Sequence, residues 1–105
     1  MSRPRARDLG VRIGLLDAGP LDAITDVAGV RVGHATLIRG AGPLVVGEGP
    51  VRTGVTVVVP HDGDPFREAL FAGCHRLNGN GELTGLERIR EGGLLTSPIE
   101  ITNTH

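Results

Sequence analysis

The stretch that decides the fold is Val51–Val59, which reads VRTGVTVVV. Most of its side chains are β-branched, and such residues favour an extended backbone. The last five positions contain one polar residue, a pattern typical of strands that are covered on both faces. Pro60 cannot donate to a sheet ladder and ends the run. The sequence therefore predicts a central strand over residues 51–59 with both of its faces covered.

Shorter strands are predicted on either side of this one. Val30–Leu37 mixes alternation with β-branched residues, and Leu44–Val46 is a short apolar run between glycine-rich turns. Pro98–Thr102 alternates, so that Ile99 and Ile101 share one face. Together these runs predict a sheet built around residues 51–59.

The clearest helix signal covers residues 85–91. Thr84 stands three residues before Glu87, the spacing of a capping box in which each side chain accepts from the other's backbone N–H. Leu86 and Ile89 share one face of such a helix. A Gly-Gly pair at 92–93 is suited to the C-terminal cap.

Residues 66–77 are ambiguous between helix and strand. Asp64 and Pro65 suit the N-cap and the first position of a helix, whereas Leu70–Leu77 also reads as a strand entering a glycine-rich loop. We predict a short helical turn followed by a strand.

The predicted strands and helix indicate an α+β chain, and its composition indicates a thin core. The 105 residues include 17 glycines and two phenylalanines as the only aromatic residues, and 39% of the chain is hydrophobic. Small apolar side chains bury little area each, and glycines raise the entropic cost of folding. We predict a disordered basic tail over residues 1–8 and one incomplete domain over residues 9–105, which needs another segment or subunit packed on it.

Charge and motif patterns exclude several classes of function. The net charge of −1 gives no general electrostatic reason to bind nucleic acid or a membrane, and no apolar run is long enough to span one. Cys74 is the only cysteine and no apolar signal segment follows the basic start, so we expect a cytoplasmic protein. The four histidines lack metal-ligand spacing. We expect no metal.

The sharpest motif is the loop Asn78–Glu82, in which two Asn-Gly pairs precede a helix. Such a backbone can adopt positive φ repeatedly and present N–H groups to an anion or a substrate, but it can equally be a tight connection between a strand and a helix. Glu82 could hold a substrate amine or simply complement the helix dipole. The candidate pocket residues are Asn78, Gly79, Asn80, Gly81 and Glu82.

Nucleophile candidates are scarce. The only serines are Ser2 and Ser97. Ser2 would become the N-terminal residue after removal of Met1, but it stands in the predicted tail with nothing to hold a base or an oxyanion hole around it. We therefore assign no catalytic residue.

Several stretches, in this order and spacing, together resemble the beginning of the L-aminopeptidase/D-amidase-esterase family, which includes the β-peptidyl aminopeptidases. They cover the chain from about residue 8 onward and comprise Asp8–Gly14, Gly19–His34, Gly49–Thr56, Leu77–Leu86, Gly93–Ile99 and Thr102–His105. Any one of them alone is unspecific.

This resemblance implies an αββα sandwich like that of N-terminal nucleophile hydrolases. Family members are longer, cleave themselves at a Gly-Ser bond, and use the freed serine to attack peptides, amides or esters through an acyl-enzyme, without a cofactor and usually as homo-oligomers.

The resemblance covers only the first part of the family's chain, without its cleavage site and nucleophile. We therefore expect an N-terminal portion of a serine aminopeptidase that is inactive without the remainder of the hydrolase chain. Two alternatives stay open, namely a non-catalytic interaction domain and an anion-binding module based on the Asn-Gly loop.

Overall fold

The computed structural model describes residues 3–104. Its strands are β1 (Arg31–Arg39), β2 (Val51–Val59), β3 (Leu70–Phe71), β4 (Leu94–Leu95) and β5 (Ile99–Thr102), and its helices are α1 (Leu86–Gly92) and the 3₁₀ helices Ala6–Leu9 and Ile24–Asp26. The chain is therefore α+β, as its sequence predicts.

The main sheet has the order β1-β2-β5 and is antiparallel throughout. β1 and β2 pair over nine residues, from Arg31 opposite Val59 to Arg39 opposite Val51. β5 pairs with the second half of β2, where Thr102 lies opposite Val55. The prediction of a central strand over 51–59 is confirmed, and the strands predicted at 30–37 and 98–102 form with slightly different ends.

The two faces of this sheet follow from the register, because directly opposite residues point to the same side. One face carries His34, Thr56 and Ile101, and the other carries Ala35, Val55 and Thr102. Most of β2 is half-buried, but its Val55 is 41% exposed. On β5, Ile101 is 56% exposed. Residues 3–104 therefore do not supply the layers that were expected to cover both faces.

The second sheet pairs β3 with β4, and α1 runs directly into β4. The helix forms where it was predicted, and Gly93 caps its C-terminus with φ of 65°. The predicted capping box is wrong, because the N-cap is Gly85 with φ of 85° and no side chain caps the helix. Thr84 therefore lies one residue before the N-cap, and it is the side chain at the N-cap that bonds to the first free N–H groups of a helix.

The ambiguous segment after β2 forms a turn and then a very short strand. The carbonyl of Asp64 accepts hydrogen bonds from the N–H groups of Arg67 and Glu68, and the Asp64 carboxylate accepts from the N–H of Phe66. The strand is limited to Leu70–Phe71. The predicted strand at 44–46 does not form, since this loop has only a bridge between Val45 and Gly49.

The N-terminal segment differs from the predicted disordered tail. Ala6–Leu9 is a 3₁₀ helix, and the guanidinium of Arg5 donates to the carbonyls of Leu21 and Asp22 at 2.5 and 2.7 Å. These bonds give residues 5–8 a defined position that their basic composition does not indicate.

The described residues enclose almost no core. Leu86 is the one buried hydrophobic residue among them. The radius of gyration is 17.3 Å, whereas a compact domain of this length has about 13 Å. No helix in residues 3–104 is long and apolar enough to cross a membrane. The core within residues 3–104 is therefore even smaller than the thin core that the composition predicts.

Candidate functional site

A groove of about 530 Å³ runs beside α1 and β4. The helix supplies one wall, β4 and the start of β5 supply another, and the segments 72–75 and 82–85 complete it. Its polar and ionisable lining residues are Cys74, His75, Glu82, Thr84, Arg88, Thr96, Ser97 and Glu100. The groove thus combines two carboxylates, one guanidinium, three hydroxyls, a thiol and an imidazole in one concave surface.

Of the five predicted pocket residues, the structure brings Glu82 to this groove. Asn78, Gly79, Asn80 and Gly81 form the loop just before it and are not among the lining residues. The side-chain oxygen of Asn78 accepts from the N–H of Asn80 at 2.9 Å, which closes a local Asx turn. The Asn-Gly loop therefore leads to the groove, and its last residue lies in the groove wall.

The backbone of this loop differs from the expectation of repeated positive φ. Neither Gly79 nor Gly81 is among the residues with positive φ, whereas Gly85 is. A concave array of N–H groups requires residues that alternate between right- and left-handed conformations. The loop geometry therefore gives no support to an anion-binding site at residues 78–81.

The groove also contains residues that no sequence motif marks. Arg88 lies on α1 and lines the groove together with Ile89. Ser97 and Glu100 enter it because the chain returns from β4 to β5 along the opposite side. Cys74 lies with its Sγ 4.0 Å from the carbonyl oxygen of Leu86. Sequence spacing alone could not pair these positions, since Cys74 and Leu86 are 12 residues apart and no motif links Arg88 to Ser97 or Glu100.

The charges of the groove suit a polar ligand with an amino group. Glu82 and Glu100 are acceptors for an ammonium group, and Arg88 can donate to a carboxylate or a carbonyl oxygen. The hydroxyls of Thr84, Thr96 and Ser97 can donate or accept.

The other described histidines, His34 and His61, lie outside the groove. His34 Nδ1 is 2.9 Å from Thr56 Oγ1 on the main sheet. His61 accepts at Nδ1 from the N–H of Gly63 and lies with Nε2 2.9 Å from the carbonyl of Glu68, which fixes the neutral ring with its proton on Nε2. Residues 3–104 contain no cluster of three or more potential metal ligands. Ser2 and His105 lie outside the described residues.

Sequence comparison finds a matching peptidase family and two similar aminopeptidases. A model of peptidase family S58 matches residues 22–105. The β-peptidyl aminopeptidase BapA of Sphingosinicella microcystinivorans is 51% identical over 97% of this chain, and that of Sphingosinicella xenopeptidilytica is 48% identical over 99% of it. The match covers 25% of each relative, so the chain spans about a quarter of their length.

Structure comparison gives the same result. The PH0078 protein of Pyrococcus horikoshii OT3 matches 96% of this chain with a TM-score of 0.83 and 46% identity, and 29% of that protein is covered. A Burkholderia sp. β-aminopeptidase matches 97% of this chain, and 28% of itself, with a TM-score of 0.78 and 56% identity.

A third structure is the L-aminopeptidase D-Ala-esterase/amidase of Ochrobactrum anthropi, described as a prototype of the serine aminopeptidases and a variant of the N-terminal nucleophile hydrolase fold. It matches 98% of this chain and 28% of itself, with a TM-score of 0.73 and 44% identity. These matches confirm the predicted family resemblance and fold class.

Proposed function

The chain belongs to peptidase family S58, and we propose that it is the N-terminal portion of an aminopeptidase that removes N-terminal residues from peptides, amides or esters. The observation that carries this proposal is the match over residues 22–105 together with about 50% identity to two β-peptidyl aminopeptidases. Identity at this level over nearly the whole chain supports a shared reaction as well as a shared fold.

In this proposal the working serine belongs to the remainder of the hydrolase chain. The family resemblance assigns that serine to a self-cleavage step at a Gly-Ser bond, after which its amine serves as the base and its hydroxyl forms the acyl-enzyme. An oxyanion hole then stabilises the tetrahedral intermediate. Residues 3–104 contribute part of the fold and one wall of the substrate cleft, and no catalytic residue is assigned to them. The assembled enzyme is proposed to be a homo-oligomer that needs no cofactor.

The groove beside α1 supplies a specific role for this chain. Glu82 lies in its wall at the end of the Asn78–Gly81 loop, and a carboxylate there can bind the free amine that distinguishes an aminopeptidase substrate. Arg88 lies in the same groove and can hold the carbonyl of the bound residue. The loop then acts as the support that fixes where Glu82 stands.

The proposal can be tested with a chimera. Residues 1–105 replace the matching segment of the Burkholderia sp. β-aminopeptidase, to which they are 56% identical. We expect the chimera to hydrolyse aminoacyl p-nitroanilides within about tenfold of the parent enzyme's kcat/KM, and to reject the N-acetylated substrates that lack a free amine.

The isolated chain is the matched control, and we expect no turnover from it. A folded chimera without hydrolysis would contradict the proposed function. Turnover by the isolated chain at an enzymatic rate, abolished by Ser2→Ala, would contradict the placement of the nucleophile outside these residues.

A further inference from the structure

The two Asn-Gly pairs of the loop at residues 78–81 leave their own backbone open to reaction. All four residues are exposed and lie outside the helices and strands. Within residues 3–104, the N–H groups of Gly79 and Gly81 donate no hydrogen bond. Glycine has no Cβ that could shield its nitrogen. Each of these nitrogens can therefore approach the side-chain amide of the asparagine that precedes it.

The two pairs differ in how the asparagine side chain is held. The Asx turn, in which Asn78 Oδ1 accepts from the N–H of Asn80 at 2.9 Å, closes a ring that contains both Cγ of Asn78 and the backbone nitrogen of Gly79. This ring keeps the two atoms near one another, as a near-attack conformer requires. The side chain of Asn80 makes no hydrogen bond to the part of the chain that the structure describes.

The hydrogen bond of the Asx turn also favours reaction at Asn78. Attack on Cγ places negative charge on Oδ1, and the N–H of Asn80 already donates to that oxygen. A donor fixed where charge develops lowers the barrier, as in an oxyanion hole. The third asparagine of the chain, Asn103, lacks these features. The residue after it is the β-branched Thr104, whose N–H donates to Thr102 Oγ1 at 3.3 Å.

We propose that Asn78–Gly79 is a site of spontaneous deamidation, with water as the co-reactant. The Gly79 nitrogen loses its proton to solvent and bonds to Cγ of Asn78, and the Cγ–Nδ2 bond breaks to release ammonia. Water then opens the resulting succinimide ring. Addition at Cγ leaves aspartate, and addition at the main-chain carbonyl carbon of residue 78 leaves isoaspartate.

Isoaspartate at residue 78 changes the approach to the groove. It adds one carbon atom to the main chain of the loop that ends at Glu82, and Glu82 lies in the groove wall. The carboxylate of Glu82 therefore shifts relative to Arg88. In the chimera, kcat/KM for substrates with a free amine should fall in proportion to the isoaspartate content. This consequence rests on the proposed function, whereas the modification itself does not.

Ageing the purified chimera at neutral pH and physiological temperature tests the site. Peptide mapping by mass spectrometry follows conversion at each asparagine, and an isoaspartate-specific methyltransferase counts the isoaspartate formed. We expect Asn78 to convert at least about fivefold faster than Asn80, and Asn103 to stay intact. In a synthetic peptide of residues 74–84, where no fold holds the turn, the two Asn-Gly pairs should react at similar rates.

Two glycine variants give a matched pair. A Cβ on Gly79 or Gly81 meets no atom within 4 Å, and neither glycine is among the residues with positive φ, so both alanine variants should fold. Gly79→Ala should slow the conversion of Asn78 at least about tenfold, because its methyl group hinders the attacking nitrogen. Gly81→Ala should leave the conversion of Asn78 unchanged.

Three results would overturn the inference. They are an intact Asn78 in the aged, folded chimera, an Asn80 that converts as fast as Asn78, and equal slowing of Asn78 by the two alanine variants. Conversion without any loss of kcat/KM would support the modification and contradict its effect on Glu82. Because mass spectrometry detects the modification without any turnover, a chimera that never hydrolyses substrate would contradict the proposed function alone.

Discussion

The main sheet and the groove beside α1 are built in different ways. In the sheet, β1 and β2 pair continuously over nine residues in a regular antiparallel ladder. The groove is bounded by a seven-residue helix, two-residue strands and the irregular segment 72–85. A regular ladder is specified by local side-chain pattern, whereas a groove of this kind depends on how distant segments meet. Substitutions should therefore affect folding in the sheet and ligand binding in the groove.

The largest loss of stability is expected at Gly54 on β2, where the neighbouring strand leaves no room for a side chain. A Cβ on Gly54 would lie 2.7 Å from the carbonyl oxygen of Ala35, which is backbone of the neighbouring strand and cannot move aside. We expect Gly54→Val to lower the free energy of unfolding of the chimera by about 3 kcal/mol, measured by urea denaturation with circular dichroism.

Gly33 is the matched control on β1, because a Cβ there meets no atom within 4 Å. Gly33→Val should be neutral or slightly stabilising, since valine favours strands. Equal losses at positions 33 and 54 would contradict the close approach of β1 and β2 at Gly54.

In the groove the expected effect concerns binding. Glu82→Gln keeps the size of the side chain and removes its charge, so the chimera should bind substrates with a free amine more weakly, with KM raised about tenfold and kcat little changed. Glu91→Gln removes one carboxylate from the same helix region outside this groove and should leave KM unchanged. A lower kcat with unchanged KM would mean that Glu82 does not act by holding the substrate.

Sequence could predict the sheet because its signals are local. The β-branched run in Val51–Val59 and the alternation in Val30–Leu37 depend on neighbours a few residues away, and both strands form. Local sequence signals could not predict which segments cover the faces of the sheet. Whether Val55 is buried depends on layers that residues 3–104 do not contain, and it is 41% exposed.

The groove was only partly predictable for the same physical reason. Glu82 was singled out because it ends a conspicuous Asn-Gly motif, and it does lie in the groove wall. Arg88 and Ser97 were not singled out. They line the same groove because the chain turns back between β4 and β5, which no local motif indicates. The position of residues 5–8 was missed as well, since two carbonyls 16 and 17 residues away hold Arg5.

A smaller effect on the sheet is expected at the hairpin end. The guanidinium of Arg52 donates to the carbonyls of Arg39, Gly40 and Val51 at 2.7 to 3.0 Å, and so closes the loop between β1 and β2. All three bonds are exposed, so water replaces them in part. Arg52→Ala should therefore cost about 1 kcal/mol in the same urea experiment.

Arg39→Ala removes a guanidinium at the end of β1, where only the backbone carbonyl of residue 39 takes part in these bonds, and should cost less than Arg52→Ala. Identical urea unfolding curves with and without Arg52→Ala would contradict the proposed role of Arg52 in closing the loop between β1 and β2.

The smallest effect separates the two possible N-terminal caps of α1. A capping box would make Thr84 worth about 1 kcal/mol of helix stability, but the structure has Gly85 as the N-cap without any side-chain bond. Thr84→Ala should therefore change the free energy of unfolding by less than about 0.3 kcal/mol. Gly85→Ala should cost about 1 kcal/mol, because φ of 85° is strained for any residue with a Cβ. If Thr84→Ala costs as much as Gly85→Ala, the hydroxyl does cap the helix, and the groove wall at residues 82–85 has the backbone that the sequence predicts.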